Sequence, residues 1–182
     1  MGPAPEIIET RRLTARRVQI ADAMALNALV AANLEHLRPW MPWISMEPLT
    51  LNEREELIAG WIETGDDPYL LYRTDVLVGL CGTHRRVGEG GIEIGYWLDQ
   101  DAVGNGYMTE AVGSITEALF KDETLDRVEI HHDRANSRSR TIPEAIGYRL
   151  VAEETAEIAA PGQEGVNLIW RYTRDRWSSR QK

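Results

Sequence analysis

Cysteine is nearly absent from this chain of 182 residues. The single thiol, Cys81, excludes an internal disulfide and any cage of cysteine ligands around a metal. Long apolar runs are missing as well, and none approaches the roughly 18 residues that a membrane-spanning helix needs. Basic charge is in deficit. Lys and Arg number 20 against 29 Asp and Glu, and the net charge of −9 argues against a general nucleic-acid binder. The opening Met1-Gly2-Pro3-Ala4-Pro5-Glu6 lacks the basic-then-apolar pattern of a secretion signal. It also lacks the Ser or Thr that myristoylation wants at the sixth position. There are no internal repeats and no low-complexity tract. The expectation is a cytoplasmic globular protein with no nucleic-acid, membrane or metal partner. Its length suits one domain with a full core.

Element signals follow in order. Met1 to Glu6 reads as a loose arm, and Arg11 to Arg16 as a short edge strand. Asp22 is placed to cap a helix whose apolar face is Met24, Leu26, Leu29 and Val30. Asn52 is placed to cap a second helix, to about Thr64, with Leu57, Ile58, Trp61 and Ile62 turned inward. Between them, Leu37-Arg38-Pro39-Trp40-Met41-Pro42-Trp43 cannot be a regular element, because its prolines block ladder and helix bonding. It reads either as a core-capping loop or as a pocket wall. Tyr69–Tyr72 and Val76–His84 form a hairpin signal, and Ile92–Leu98 and Arg127–Asp133 are further strands. Helices are expected from Tyr107 to Phe120 and from Asn136 to Gly147, with Pro143 awkward inside the second. Strands near Tyr148–Ile158 and Val166–Thr173 close the chain before a polar tail from Trp177. The pattern predicts one α/β domain, a mixed sheet with helices on its faces.

Asp101-Ala102-Val103-Gly104-Asn105-Gly106 lies between a strand and a helix start. Glycines spaced this way aim free amide N–H groups at one point, where the helix dipole also favours an anion. The stretch reads as a phosphate cradle or as an ordinary glycine-rich turn.

Three further strings decide between those readings. The run Ile94-Gly95-Tyr96-Trp97-Leu98 leads to Gly104-Asn105-Gly106-Tyr107-Met108-Thr109-Glu110-Ala111. The segment Leu37–Trp43 precedes them. Arg127-Val128-Glu129 and then Asn136-x-x-Ser139 with Gly147-Tyr148 follow. In order and spacing this resembles the GNAT superfamily of N-acetyltransferases, and within it the RimJ/RimL-like branch that acetylates protein N-termini. The resemblance spans roughly Arg11 to Thr173 of a single domain over residues 1–182. It implies a mostly antiparallel central sheet with helices on both faces, and acetyl-CoA as co-substrate. The amides of Val103, Gly104, Asn105, Gly106 and Tyr107, with Thr109, would hold the pyrophosphate. Tyr96, Trp97 and Leu98 would pair with the pantetheine arm like an added strand. Asn136 and Ser139 would lie beside the arm and thiol, and Trp40 and Trp43 would line the acceptor pocket. The superfamily usually begins its loop with Gln or Arg where this chain has Asp101, so that side chain is expected to take no part.

Amine acetylation needs a neutral amine, a stabilised oxyanion and a proton for the departing thiolate. Glu93, on the strand beside the cofactor, is the leading base. Ser139 is the proton-transfer group the branch suggests. His132, four residues before Asn136, is a further acid or base candidate, since histidine titrates near neutrality. His131 and His132 point to opposite faces of a strand and so do not share a metal. The expected acceptor is a protein N-terminal α-amine. The alternatives are a small amine, such as an aminoglycoside or polyamine, and an acyl-CoA sensor without turnover. A homodimer is left open.

Overall fold

The computed structural model describes residues 5–66 and 68–180. The expected loose arm at Met1–Glu6 lies largely outside them. The chain begins with β1 (Ile7–Glu9) and β2 (Thr14–Arg17), then α1 (Ala23–Ala32), the single turn α2 (Leu34–Leu37) and α3 (Leu51–Thr64). A meander of β3 (Tyr69–Arg73), β4 (Val76–His84) and β5 (Gly91–Leu98) follows. Then come α4 (Tyr107–Leu119), β6 (Arg127–Asp133), α5 (Ser137–Ile146), β7 (Arg149–Thr155), β8 (Val166–Thr173) and α6 (Arg174–Arg180).

The strands form one eight-stranded sheet in the order β1-β2-β3-β4-β5-β6-β8-β7. Every neighbouring pair is antiparallel except β5 and β6. Two cores sit on the two faces. One gathers α4, with Met108, Ala111, Val112 and Ile115, against Ile92, Ile94, Val128 and Ile130. The other gathers Leu26, Val30, Leu37, Ile44 and Ile58 against Leu70 and Trp97. Alternation along β3 explains the split: Tyr69 and Leu71 face one core and Leu70 the other, all of them fully buried. The expected mixed sheet with helices on both faces is what the chain forms.

Several local expectations change. The strand expected at Arg11–Arg16 begins at Thr14, and it is not an edge because β1 pairs outside it. The second helix is capped by Thr50 rather than Asn52. Thr50 Oγ1 accepts from the Glu53 N–H at 3.3 Å while Glu53 accepts from the Thr50 N–H at 2.8 Å, a reciprocal box that Asn52 cannot make. Asp22 spends its carboxylate on Arg16, at 2.6 and 3.1 Å, and makes no helix-cap bond to α1. Met24 and Ile62, expected inside, are exposed. The chain from Arg174 to Arg180 is a helix rather than a tail, pinned where Trp177 stacks on Phe120 with ring centres 5.7 Å apart.

One irregularity of the sheet matters most. β5 and β6 pair over only Gly91↔Arg127, Ile92↔Val128 and Glu93↔Glu129. Beyond Glu93, β5 keeps its β4 partner and β6 keeps its β8 partner as far as Asp133. The sheet therefore splits along a seam, and the β6-facing edge of Ile94–Leu98 is left without a strand.

Candidate active site

Two cavities open on the two sides of this seam. One, of about 710 Å³, runs past Tyr96, Trp97, Leu98, Val103, Gly104, Gly106, Tyr107 and Thr109 to α5. The other, of about 720 Å³, is walled by Trp40, Met41, Trp43, Trp61 and Leu80 and floored by Glu93, His131 and Asp133. They meet at Trp40, Met41, Tyr96, Trp97, Asn136 and Ser139. Any group passed between the cavities must pass there.

The loop at the mouth of the first cavity has Gly104 and Gly106 at φ of 84° and 73°, the left-handed region that side chains disfavour. Gly106 enters α4 with no side-chain cap. Among the described residues, the amides of Gly104, Asn105 and Gly106 have no protein acceptor, so with the helix dipole they form a ready anion seat. Val103 departs from expectation: its N–H is committed to the Gln100 carbonyl at 3.3 Å, so it lines the cavity without a free donor. Asp101 is exposed and turned to solvent, while Arg138 lines the cavity. The loop is tethered by buried Asn33, whose Oδ1 accepts from the Gln100 N–H at 2.8 Å. An unpaired strand edge of five residues ending in an amide nest fits a pantetheine arm and its pyrophosphate. The residues present suit acetyl-CoA, which brings the activated thioester.

At the junction, Asn136 caps α5 by accepting from the Ser139 N–H at 3.1 Å. Pro143 follows four residues after Ser139 and has no N–H to give its carbonyl. The freed Ser139 carbonyl instead accepts from the Tyr96 hydroxyl at 3.1 Å, and that same hydroxyl accepts from Ser139 Oγ at 3.1 Å. The awkward proline thus creates the acceptor that orients Tyr96. Burial pushes the Tyr96 phenol well above its ordinary range, so it stays a neutral donor.

Glu93 is buried, and its carboxylate lies in a fork with Arg86, Nε to Oε2 at 2.7 Å and Nη2 to Oε1 at 2.6 Å. His131 Nδ1 lies 3.7 Å from Oε2, and His131 Nε2 sits 2.8 Å from Glu129. Glu129 is in turn held by Arg171 at 2.8 Å and Arg127 at 3.1 Å. Glu93 therefore faces the second cavity at the end of a polar row across three strands.

His132 is not placed for the role expected of it. Trp170 Nε1, which can only donate, gives its hydrogen to His132 Nε2 at 3.0 Å. His132 Nδ1 then donates to the Asp133 carbonyl at 2.8 Å. Both nitrogens are spent, and burial lowers the pKa, so the ring is a neutral structural group. A histidine that stays neutral when folded binds fewer protons than its unfolded counterpart. Its contribution is therefore full above pH 6.5 and is lost as pH falls from 6.5 toward the depressed folded value. His132→Gln should flatten the fall of urea-unfolding stability between about pH 7 and pH 5; an unchanged slope would count against this assignment.

Trp40 and Trp43 both line the second cavity, and Trp43 packs on Trp97 with ring centres 6.2 Å apart. Their segment is docked from outside. The Gly162 N–H donates to the Pro39 carbonyl at 2.9 Å, and a Cβ there would meet that oxygen at 2.6 Å. Arg86, His131 and Asn33 escaped the sequence reading. Arg86 sits in a polar loop whose reach no periodicity reveals, and Asn33 reads as a helix end. Pro143 did carry a signal, because a proline inside a helix frees the carbonyl four residues earlier.

Paired cavities across a split sheet describe a transferase that brings two substrates together through one seam. The chain belongs to the GNAT acetyltransferase family: the Acetyltransferase (GNAT) domain profile matches residues 12–149. It is an acetyl-CoA-dependent N-acetyltransferase. It is similar to YdaF of Bacillus subtilis (strain 168), a protein named for ribosomal N-acetyltransferase activity. The two are 29% identical over 143 residues, covering 75% of this chain and 77% of YdaF. Among solved structures it is similar to RimL, the ribosomal L7/L12 alpha-N-protein acetyltransferase, in complex with coenzyme A. There the TM-score is 0.85 at 19% identity, over 94% of this chain and 99% of that one. It is also similar to Mycobacterium smegmatis RimJ in complex with CoA-disulfide, with a TM-score of 0.80 at 21% identity, over 100% and 98%. These structures belong to the branch the sequence resembles. No helix among the described residues is long and apolar enough to cross a membrane, and they hold no cluster suited to a metal.

Proposed function

We propose that the acceptor is the N-terminal α-amine of a protein, of the ribosomal-protein kind. The observation that carries this reading is the state of the carboxylates in the acceptor cavity. Glu47 is paired with Arg54, Asp133 accepts from the N–H groups of Ala135, Glu164, Gly165 and Val166, and Glu93 is paired with Arg86. A polyamine or aminoglycoside needs several free anions. Of the three carboxylates, only Glu93 has a mostly exposed partner, so one carboxylate between apolar, aromatic walls is open to exchange, which suits a single amine carried on a chain. The names of YdaF, RimL and RimJ point the same way.

The acceptor arrives as an ammonium and gives one proton to Glu93. Glu93 passes that proton to solvent; the neutral nitrogen attacks the thioester carbonyl, the C–S bond breaks, and the nitrogen gives its second proton to Glu93 as the amide forms. Ser139 Oγ, hydrogen-bonded to neutral Tyr96, stands at the junction to protonate the departing thiolate, and is reprotonated from solvent. One proton is released overall. Holding the two substrates in line supplies about 7–11 kcal/mol of the barrier reduction, and proton transfer a further 10²–10⁴-fold, on the order of magnitude usual for such groups.

The test is thiol release from acetyl-CoA across a panel of ribosomal-protein N-terminal peptides, polyamines and aminoglycosides, with the product located by mass spectrometry. Acetylation of a peptide α-amine is expected. Turnover confined to small amines, or acetyl-CoA binding with no turnover on any acceptor, would overturn the reading.

A further inference from the structure

The fork between Arg86 and Glu93 joins two groups of opposite exposure. The Glu93 side chain is 5% exposed and the Arg86 side chain 65%. A carboxylate that deep needs a cation beside it at all times, since the unpaired charge would be strongly destabilising. The Arg86 side chain is mostly exposed, so it loses less by leaving than a buried partner would. The other cation–carboxylate pair on this cavity, Arg54 with Glu47, is buried at both ends, with side chains 2% and 4% exposed, and has no such freedom. Arg86 donates to both Glu93 oxygens, so an acceptor ammonium coming from the cavity must share the carboxylate with the guanidinium or take its place.

We infer that Arg86 is an acceptor-displaced gate: its guanidinium fills the ammonium seat on Glu93 at rest, and the acceptor's α-ammonium takes that seat by exchanging one cation for another. This rests on the reading of Glu93 as the carboxylate that receives the amine. Exchange keeps the buried charge balanced at every stage, and once the amine has given its proton to Glu93 no cation is needed. A second anion waits for the displaced guanidinium. Asp66 is near enough to act on Arg86 electrostatically, and it is anchored 3.1 Å from His84 Nδ1 on the strand beside Glu93. Behind Glu93 lies the His131 ring, and beyond it the Glu129, Arg127 and Arg171 set. The gate makes Arg86 a specificity-determining residue. It selects acceptors whose cation fits the depth of Glu93, and it leaves neutral nucleophiles facing a closed fork.

Arg86→Ala leaves Glu93 without its resting cation, so it should lower KM for the peptide acceptor about fivefold and its urea-unfolding midpoint should rise when propylguanidinium is added, and Arg86→Lys should keep the wild-type KM. Propylguanidinium should bind Arg86→Ala in calorimetry, and inhibit it competitively against acceptor but not against acetyl-CoA, at least about fivefold more tightly than it does the wild type. Asp66→Asn should raise KM in the wild type and do nothing in the Arg86→Ala background. A fall in kcat with KM unchanged, or equal action of propylguanidinium on both proteins, would overturn the gate. Calorimetry needs no turnover. A wild type that acetylates no peptide therefore counts against the protein-amine reading alone, and propylguanidinium failing to bind Arg86→Ala counts against the gate alone.

Discussion

Glu93→Gln should lower kcat/KM for the amine acceptor about 10²-fold, the lower end of what a positioned base supplies. Acetyl-CoA binding should be unchanged. The amide preserves the shape of the side chain and can still accept from Arg86, so the packing at the seam survives and the missing function is proton acceptance. The loss should be largest at low pH, where most acceptor arrives as ammonium, so the rate of the variant should fall more steeply than that of the wild type as pH drops. The limit to about 10²-fold follows from the cavities themselves. They hold amine and thioester at one junction, and that positioning is untouched by the substitution. A variant whose pH–rate profile matches the wild type would remove Glu93 as the base.

Arg54→Ala should cost about 3–5 kcal/mol of unfolding free energy, the loss typical of a buried ion pair deprived of one partner. Arg54 Nη2 lies 2.5 Å from Glu47 Oε1, and its Nε donates to Asn27 Oδ1 at 3.1 Å. Truncation leaves the Glu47 charge buried with only the Leu49 N–H, at 3.0 Å, as a donor. Replacing both, as Arg54→Met with Glu47→Gln, should recover most of the loss, because the penalty lies in the unpaired charge. Urea unfolding of the three proteins checks this, and a loss below about 1 kcal/mol for the single variant would place the pair with exposed ones. Both residues line the acceptor cavity, so KM for the acceptor should rise in the single variant while KM for acetyl-CoA holds.

The contrast between legible and hidden features has a physical basis. Strands such as Arg127–Asp133 and Val166–Thr173 were readable to the residue, because alternation and flanking turns act locally. The glycine loop before α4 was readable because left-handed glycines and a helix start are backbone properties of one short stretch. Arg86 and Arg54 were not, since their meaning lies in carboxylates reached through space. His132 shows the reverse error. Its position relative to Asn136 suggested chemistry, but Trp170, 38 residues away, takes the lone pair that chemistry would need. The cap at Thr50 was missed by two residues, a local competition that tertiary contacts do not decide. The core-capping and pocket-wall readings of Leu37–Trp43 are equally open on sequence, and the cavity that Trp40 and Trp43 line, with Gly162 docked onto Pro39, favours a fixed wall.

Glu93 closes the last rung of the three-rung parallel ladder between β5 and β6. The sheet on either side of that ladder behaves as two plates joined by a short pin. A small rotation about the pin moves each point in proportion to its distance from it. Leu98 lies five residues past Glu93, about 16 Å at the usual rise of an extended chain, and so sweeps furthest. Opening the far end by several ångströms to admit a long thioester carrier leaves the carboxylate almost where it was. The fulcrum of the cleft and its proposed base are the same residue, so the group that proposal needs most accurately placed is the one that breathing of the cleft disturbs least.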